Sequence, residues 1–215
     1  MNYRDRYVTV DLNDDEFDQI KQILDRNQNF EDTEIENVRQ CEVNFIEDQT
    51  LYDLVMSYAS RVNEAADWNF DIDFVEPLQL TKYKEGNHYD WHQDESEWHR
   101  DKRTGEKIRK ISFTLLLNED FTGGEFHLIS QPIEMKTGQM IFFHSDDYHM
   151  VTRVTQGTRL SLVGWVQGPA WRWVSPGTVA QRIEQLPSKQ SVVGSIPTCL
   201  VREINSAVEW LPYKQ

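Results

Sequence analysis

Only two cysteines, Cys41 and Cys199, occur in 215 residues. They form neither a CxxC motif nor a disulfide framework, so a cysteine-built metal site and a stapled secreted scaffold are both set aside. No run of about eighteen apolar residues occurs, which excludes a helical membrane span. A basic leader followed by an apolar stretch is also missing, and a reducing, cytoplasmic setting is the expectation. Basic residues are scarce: 22 Lys and Arg stand against 36 Asp and Glu, for a net charge of -14. Such a surface repels phosphate backbones and anionic headgroups, so neither nucleic acid nor membrane is expected as a partner. No linker breaks the pattern, and the length suits one sizeable core.

Hydrophobic periodicity divides what is there. Asn13 or Asp14 can cap a helix in which Phe17, Ile20, Ile23 and Leu24 share a face, over about residues 13–26. Leu51, Val55, Met56, Tyr58, Ala59 and Val62 repeat in the same way and predict a longer helix from Gln49 to Trp68. From Phe70 the period shortens to two, and strands are expected at Lys110 to Leu117, Gly124 to Ile129, Gln139 to Phe143, Met150 to Val154 and Leu160 to Val166. Two helices followed by about eight short strands describe an α+β protein whose strands close into a sandwich or barrel.

Three regions result: a helical and strand support over 1–70, a β-rich core over 71–170 in one domain with it, and an atypical extension over 171–215. The extension has an unusual wording. Val193 to Thr198 can be encoded by GTA GGT TCG ATT CCT ACC, where GTAGG and CCTAC pair around TTCGATT as in a transfer-RNA T-arm. Leu186 to Gln190 can be TTG CCT TCT AAG CAA, a stem closing on an anticodon loop that reads TCT. The expectation is a reading frame fused with, or running into, an arginine transfer-RNA gene, with a phage-associated or mobile origin. Chance encoding by degenerate codons is the alternative.

Chemistry concentrates in the β-rich part. His92 and Asp94, two apart at a strand end, project to one side and can grip one ion. His149, downstream, supplies a third ligand, and two His plus one carboxylate on one face leave three coordination positions open. Arg159 lies ten residues past His149 and shares a strand face with Ser161. A guanidinium and a hydroxyl pointing inward clamp a carboxylate, because a buried arginine is costly unless an anion meets it.

The segment from Tyr83 to Asp94, Tyr-Lys-Glu-Gly-Asn-His-Tyr-Asp-Trp-His-Gln-Asp, resembles the YxxGxxYxxHxD signature of the prolyl-4-hydroxylase-like branch of the Fe(II)/2-oxoglutarate oxygenases. Leu115-Leu116-Leu117-Asn118, Gly123-Gly124-Glu125, Lys136-Thr137-Gly138 with Phe142-Phe143-His144, and the HxV…GxRxSxxxW block from His149 to Trp165 follow in that family's order. The match covers about residues 75–168, and its bacterial members with this texture are often called PKHD-type hydroxylases. The resemblance implies a double-stranded β-helix, jelly-roll or cupin-like, with the N-terminal helices packed on its major sheet. It implies Fe(II) on His92, Asp94 and His149, and 2-oxoglutarate held at its far carboxylate by Arg159, Ser161 and Tyr83. Dioxygen is the implied co-reactant and ascorbate the reductant, with Trp165, Leu115 and Tyr89 lining the pocket. The implied reaction is hydroxylation of an unactivated C–H, of a prolyl residue in a peptide or protein first and of a free amino acid or small metabolite second. Met150 departs from the small residue common after the third ligand.

Rival readings exist for each part. His144-Ser145-Asp146 is a second HxD, though no carboxylate clamp lies at the matching distance from it. Arg159 has the alternative of a surface position balancing an acidic protein, and Tyr83 and Trp165 that of ordinary core aromatics. His88 and His99 are expected in polar loops and His127 on a strand. The charged loop from Glu95 to Glu106, with Trp98 and Gly105, is a candidate lid. A cupin-like module that binds metal without turnover is the rival from another class, and it has no need of a dicarboxylate clamp.

Overall fold

Asn13 starts the first helix by satisfying its orphan donors. In the computed structural model, which describes residues 6–36, 38–95 and 107–170, its side chain accepts from the Glu16 amide at 2.9 Å. Glu16 returns the bond to the Asn13 amide at 3.2 Å. This capping box, with Asp14, Asp15 and Glu16 complementing the helix dipole, launches α1 (Asp14–Asp25), whose buried stripe is Ile20, Ile23 and Leu24. Asp48 caps α2 (Gln49–Ala65) by accepting from the Leu51 amide at 3.1 Å. The second helix stops short of the predicted Trp68. Asp67 turns to a φ of 56°, and the Asn63 side chain bonds both the amide and the carbonyl of Phe70, drawing the backbone off the helix axis.

Fourteen strands are present among the described residues: β1 (Tyr7–Asp11), β2 (Glu31–Ile35), β3 (Arg39–Ile46), β4 (Phe74–Val75), β5 (Leu78–Tyr83), β6 (His88–His92), β7 (Lys107–Leu116), β8 (Phe121–Gly123), β9 (Phe126–Leu128), β10 (Gln131–Ile133), β11 (Gln139–His144), β12 (His149–Val151), β13 (Val154–Gly157) and β14 (Arg159–Pro169). β1, β2 and β3 lie within the 1–70 support, before the two-residue period that begins at Phe70. Their sequences hide them: β2 is Glu-Asp-Thr-Glu-Ile, and β3 alternates polar residues with Arg39, Cys41 and Val43 instead of a clean apolar face.

The main sheet runs β1-β11-β7-β14-β5-β3-β6-β12-β9-β10, entirely by antiparallel pairs, with β2 added to β3 and β4 to β14; β8 and β13 form a separate ribbon. Strand alternation then builds two cores. Leu78, Leu80, Ile111, Phe113, Leu115, Met140, Phe142, Leu162 and Val166 face the buried stripes of α1 and α2. Tyr83, Ile141 and Phe143, from the opposite parity of the same strands, pack with Cys41, Val43, Phe126, Leu128, Val151 and Val154 inside the curled sheet. This is the expected double-stranded β-helix with helices on its major sheet. Gly164 lets the layers meet, because a Cβ there would lie 2.5 Å from Leu78 Cδ2 and 2.6 Å from Phe113 Cε1.

All described residues belong to one compact unit, Met1–Ala170; the extension from Trp171 onward lies outside them. No helix of the described residues is long and apolar enough to cross a membrane. Removing the first helix cap, by Asn13→Ala, lowers the unfolding free energy by about 1 kcal/mol in denaturant titration.

Candidate active site

Cross-strand pairing brings the two distant histidines together. His92 ends β6, His149 begins β12, and the two are direct antiparallel partners. Each ring is oriented by the carbonyl two residues before it: His92 Nδ1 lies 2.8 Å from the Asp90 oxygen, and His149 Nδ1 lies 3.0 Å from that of Asp147. A carbonyl only accepts, so each Nδ1 carries the proton and each Nε2 is left with a free lone pair aimed inward. Asp94 completes the group, with Oδ1 3.8 Å from His92 Nε2 and Oδ2 3.4 Å from His149 Nε2. The three donor atoms all lie within 4.8 Å of one another, a spacing that suits one ion.

The surroundings keep these groups in their ligating states. Burial, and next His149, push His92 down to about 4, so its ring is neutral near pH 7. Burial works to raise the Asp94 carboxyl, but His149, His92, the Ser112 hydroxyl and Arg109 outweigh it and hold it below the usual range. Ser112 Oγ donates to Asp94 Oδ2 at 2.7 Å, and Ser145 Oγ lies 3.0 Å further along. Tyr89 stacks on His92 with ring centres 3.5 Å apart, and Phe143 meets His149 edge-on at 4.8 Å.

A second polar group lies in the same cavity. Arg159 and Tyr83 are cross-strand partners on β14 and β5, with the guanidinium carbon 5.8 Å from the phenol ring centre. Arg159 is only 2% exposed, and its Nη1 donates to Ser161 Oγ at 2.8 Å. No carboxylate pairs with it among the described residues. Burial lowers the Arg159 guanidinium from its ordinary value and raises the Tyr83 phenol above its own, so Tyr83 stands as a neutral donor. Gly124, at a φ of 61°, brings the Gly-Gly turn against this arginine: a Cβ there would sit 3.1 Å from Arg159 Cδ.

The cavity joining the two groups measures about 540 Å³, within the range of small-molecule sites. Trp165 and Tyr89 line it. Leu115 does not: strand parity turns it into the core beneath the helices, and its neighbour Thr114 faces the cavity instead. Met150, between the inward His149 and Val151, likewise stays off the cavity wall. His144 belongs to the helix side, edge-on to Trp68 at 4.7 Å and to Phe70 at 4.9 Å. His88 is a β6 strand residue, not a loop residue, and His127 lies on β9 beside Glu125. The candidate lid falls outside the described residues from Ser96 to Glu106, His99 included.

Three cavity features escaped the sequence. Ser112 supports Asp94 from the middle of an apolar strand. Arg109 makes two 2.6 Å bonds to Glu76 and lies 3.9 Å over the Trp165 ring. Arg39 reaches the cavity from β3, a strand with no clear alternation to announce it.

Residues 78–167 match the 2OG-Fe(II) oxygenase superfamily. A PKHD-type hydroxylase of Acaryochloris marina is 36% identical over 99 residues, 43% of this chain and 42% of that protein. One from Synechococcus sp. (strain CC9902) is 33% identical over a stretch of the same length and coverage. The sequence thus spans less than half of these relatives' own length. Among solved structures, a Pseudomonas putida prolyl-4-hydroxylase superposes with a TM-score of 0.62 at 18% identity, covering 77% of this chain and 94% of that one. A viral collagen prolyl hydroxylase from Paramecium bursaria Chlorella virus-1, solved as a 2OG complex, gives 0.55 at 19% identity, covering 76% and 96%. A Trichoplax adhaerens prolyl hydroxylase in complex with a hypoxia inducible factor peptide fragment gives 0.54 at 16%, covering 77% and 84%. The segment that matches the superfamily, under half of the 215 residues, carries both polar groups of the cavity. By sequence, the proteins that this segment resembles are PKHD-type hydroxylases.

Ser112→Ala leaves one Asp94 oxygen without its donor and weakens metal binding about 10- to 100-fold, read by metal titration of the apoprotein. His144 has a different signature. Burial lowers it, so as pH falls through about 6.5 the unfolded protein takes up a proton that the folded one resists, and stability declines. His144→Leu therefore loses less melting temperature than the parent between about pH 7 and pH 5.

Proposed function

We propose that this protein is an Fe(II)- and 2-oxoglutarate-dependent dioxygenase that hydroxylates an unactivated C–H. The observation that carries the reading is the pairing, in one cavity, of three oriented metal donors with a buried arginine that has no carboxylate partner among the described residues. A chelating dicarboxylate fits both ends at once. The donor set of two imidazoles and one carboxylate suits Fe(II), and the superfamily's name specifies the same ion and cosubstrate.

In this reading His92, Asp94 and His149 would hold the metal. Arg159, Ser161 and Tyr83 take the far carboxylate, with the phenol donating as a neutral hydroxyl. When bound, Fe(II) and 2-oxoglutarate would let dioxygen act as the oxidant, with two electrons from the conversion of 2-oxoglutarate to succinate and carbon dioxide and two from the substrate C–H, and ascorbate would restore the ferrous ion. The protein's own contribution is orientation and the exclusion of water. Phe143 and Phe126 wall the metal side, and Thr114 and Val163 line the same cavity.

A prolyl residue in a peptide or protein is the first candidate substrate, supported by the prolyl hydroxylases among the structural neighbours, one of them holding a peptide. A free amino acid or small metabolite is the second. A binding-only cupin-like module is disfavoured by the arginine clamp, which a metal-holding barrel does not require.

Full-length protein given Fe(II), ascorbate and air forms succinate from 2-oxoglutarate, and His92→Ala abolishes it. Absence of succinate from the parent protein would favour the binding module. Arg159→Ala raises the 2-oxoglutarate requirement about 10- to 100-fold while Fe(II) binding changes little, as expected for loss of a charge-assisted pair. Equal loss of both makes Arg159 structural.

A further inference from the structure

Three arginines line the cavity, and they differ in what neutralises them. Arg109 is cancelled by Glu76 through two 2.6 Å bonds. Arg159 is assigned above to the far carboxylate of the cosubstrate. Arg39 has neither. Its Nε donates to Cys41 Sγ at 3.0 Å, a weak acceptor, while its Nη2 is buried with no hydrogen-bond partner among the described residues. The guanidinium lies 4.8 Å over the ring of Tyr89, its direct partner across β3 and β6, and Tyr89 in turn stacks on His92. Arg39 and His92 thus share contact with one ring, Tyr89, and one Arg39 donor is unmet among the described residues.

Charge in the loaded site sharpens the point. A doubly positive ion and a doubly negative cosubstrate cancel, and Asp94 cancels Arg159. Glu47, the remaining acid on the wall, is exposed and screened by water. Among the described residues Arg39 is left as one uncompensated cation on the cavity wall, and burying such a group is costly unless an anion meets it.

We propose that Arg39 anchors a carboxylate carried by the substrate, so that the molecule hydroxylated presents an acid group close to the reacting carbon. The carboxylate has three possible sources: a free amino acid, the C-terminus of a peptide, or an acidic side chain beside the target residue in a peptide. This rests on the oxygenase reading above and narrows its substrate class. It also gives Tyr89 a second task, since the same ring orients His92 on one side and the guanidinium on the other.

The test is calorimetric titration of the full-length protein loaded with Mn(II) and 2-oxoglutarate, which binds without turnover. Three probe pairs separate the sources, each an acid with its neutral counterpart. They are L-proline with L-prolinamide, glycyl-proline with its amide, and N-acetyl-Asp-Pro-amide with N-acetyl-Asn-Pro-amide. At least one pair shows about tenfold or greater preference for the acid. Arg39→Gln reduces that preference to near unity, and Arg39→Lys, which keeps the charge without the fork, restores part of it. No preference in any pair, or a preference that survives Arg39→Gln, overturns the assignment. A parallel loss of 2-oxoglutarate affinity in Arg39→Gln also overturns it, by moving Arg39 to the cosubstrate. Failure of the loaded parent protein to take up 2-oxoglutarate is a separate result, and it removes the oxygenase reading itself.

Discussion

The cavity is organised around a charge that is buried without a neutralising partner among the described residues. Arg159 is among the most enclosed side chains of the molecule, held on β14 between β5 and β7, and its nearest polar companions are the Ser161 hydroxyl and the neutral Tyr83 phenol. Neither carries charge, so the desolvation penalty of the guanidinium stays outstanding until an anion arrives. Several otherwise unrelated features serve that position. The Gly-Gly turn presses on the arginine's methylenes, strand parity directs Arg159, Ser161, Val163 and Trp165 to one face, and the antiparallel register sets Tyr83 directly opposite.

The metal end is governed by orientation more than by strength. Two carbonyls fix the same tautomer in His92 and His149, and a serine hydroxyl fixes the Asp94 carboxylate. Three ligands from two strands and a strand end are thereby poised before any ion binds, which lowers the ordering entropy that binding otherwise has to overcome. This end and the arginine line one cavity, so the two act on one ligand if that ligand is a chelating dicarboxylate.

How much of this is legible in the sequence depends on the kind of pattern. The helices are readable because Ile20, Ile23 and Leu24, and Val55, Ala59 and Val62, repeat with the helical period, and only the exit of α2 moves, where Asn63 and Asp67 redirect the backbone. The clustering of His92, Asp94 and His149 is legible because the HxD spacing and the later block follow a fixed order. β1, β2 and β3 are not, because edge position or an inward face of Arg39 and Cys41 removes the apolar alternation that marks a strand. The family resemblance puts Leu115 in the pocket, yet one step of parity gives that place to Thr114. Arg39 is invisible for a deeper reason: its meaning comes from Tyr89, on another strand, and from the lack of a carboxylate, and neither leaves a local trace.

The central claim is that one ligand bridges the metal donors and the buried arginine. Its most direct measurement is the affinity of the protein for 2-oxoglutarate with and without Mn(II), since a bridging ligand must couple to the ion and the coupling is reciprocal. The account predicts tightening of about tenfold or more when the metal is present, with the same factor recovered for Mn(II) affinity when 2-oxoglutarate is added first. An affinity indifferent to the metal would contradict it.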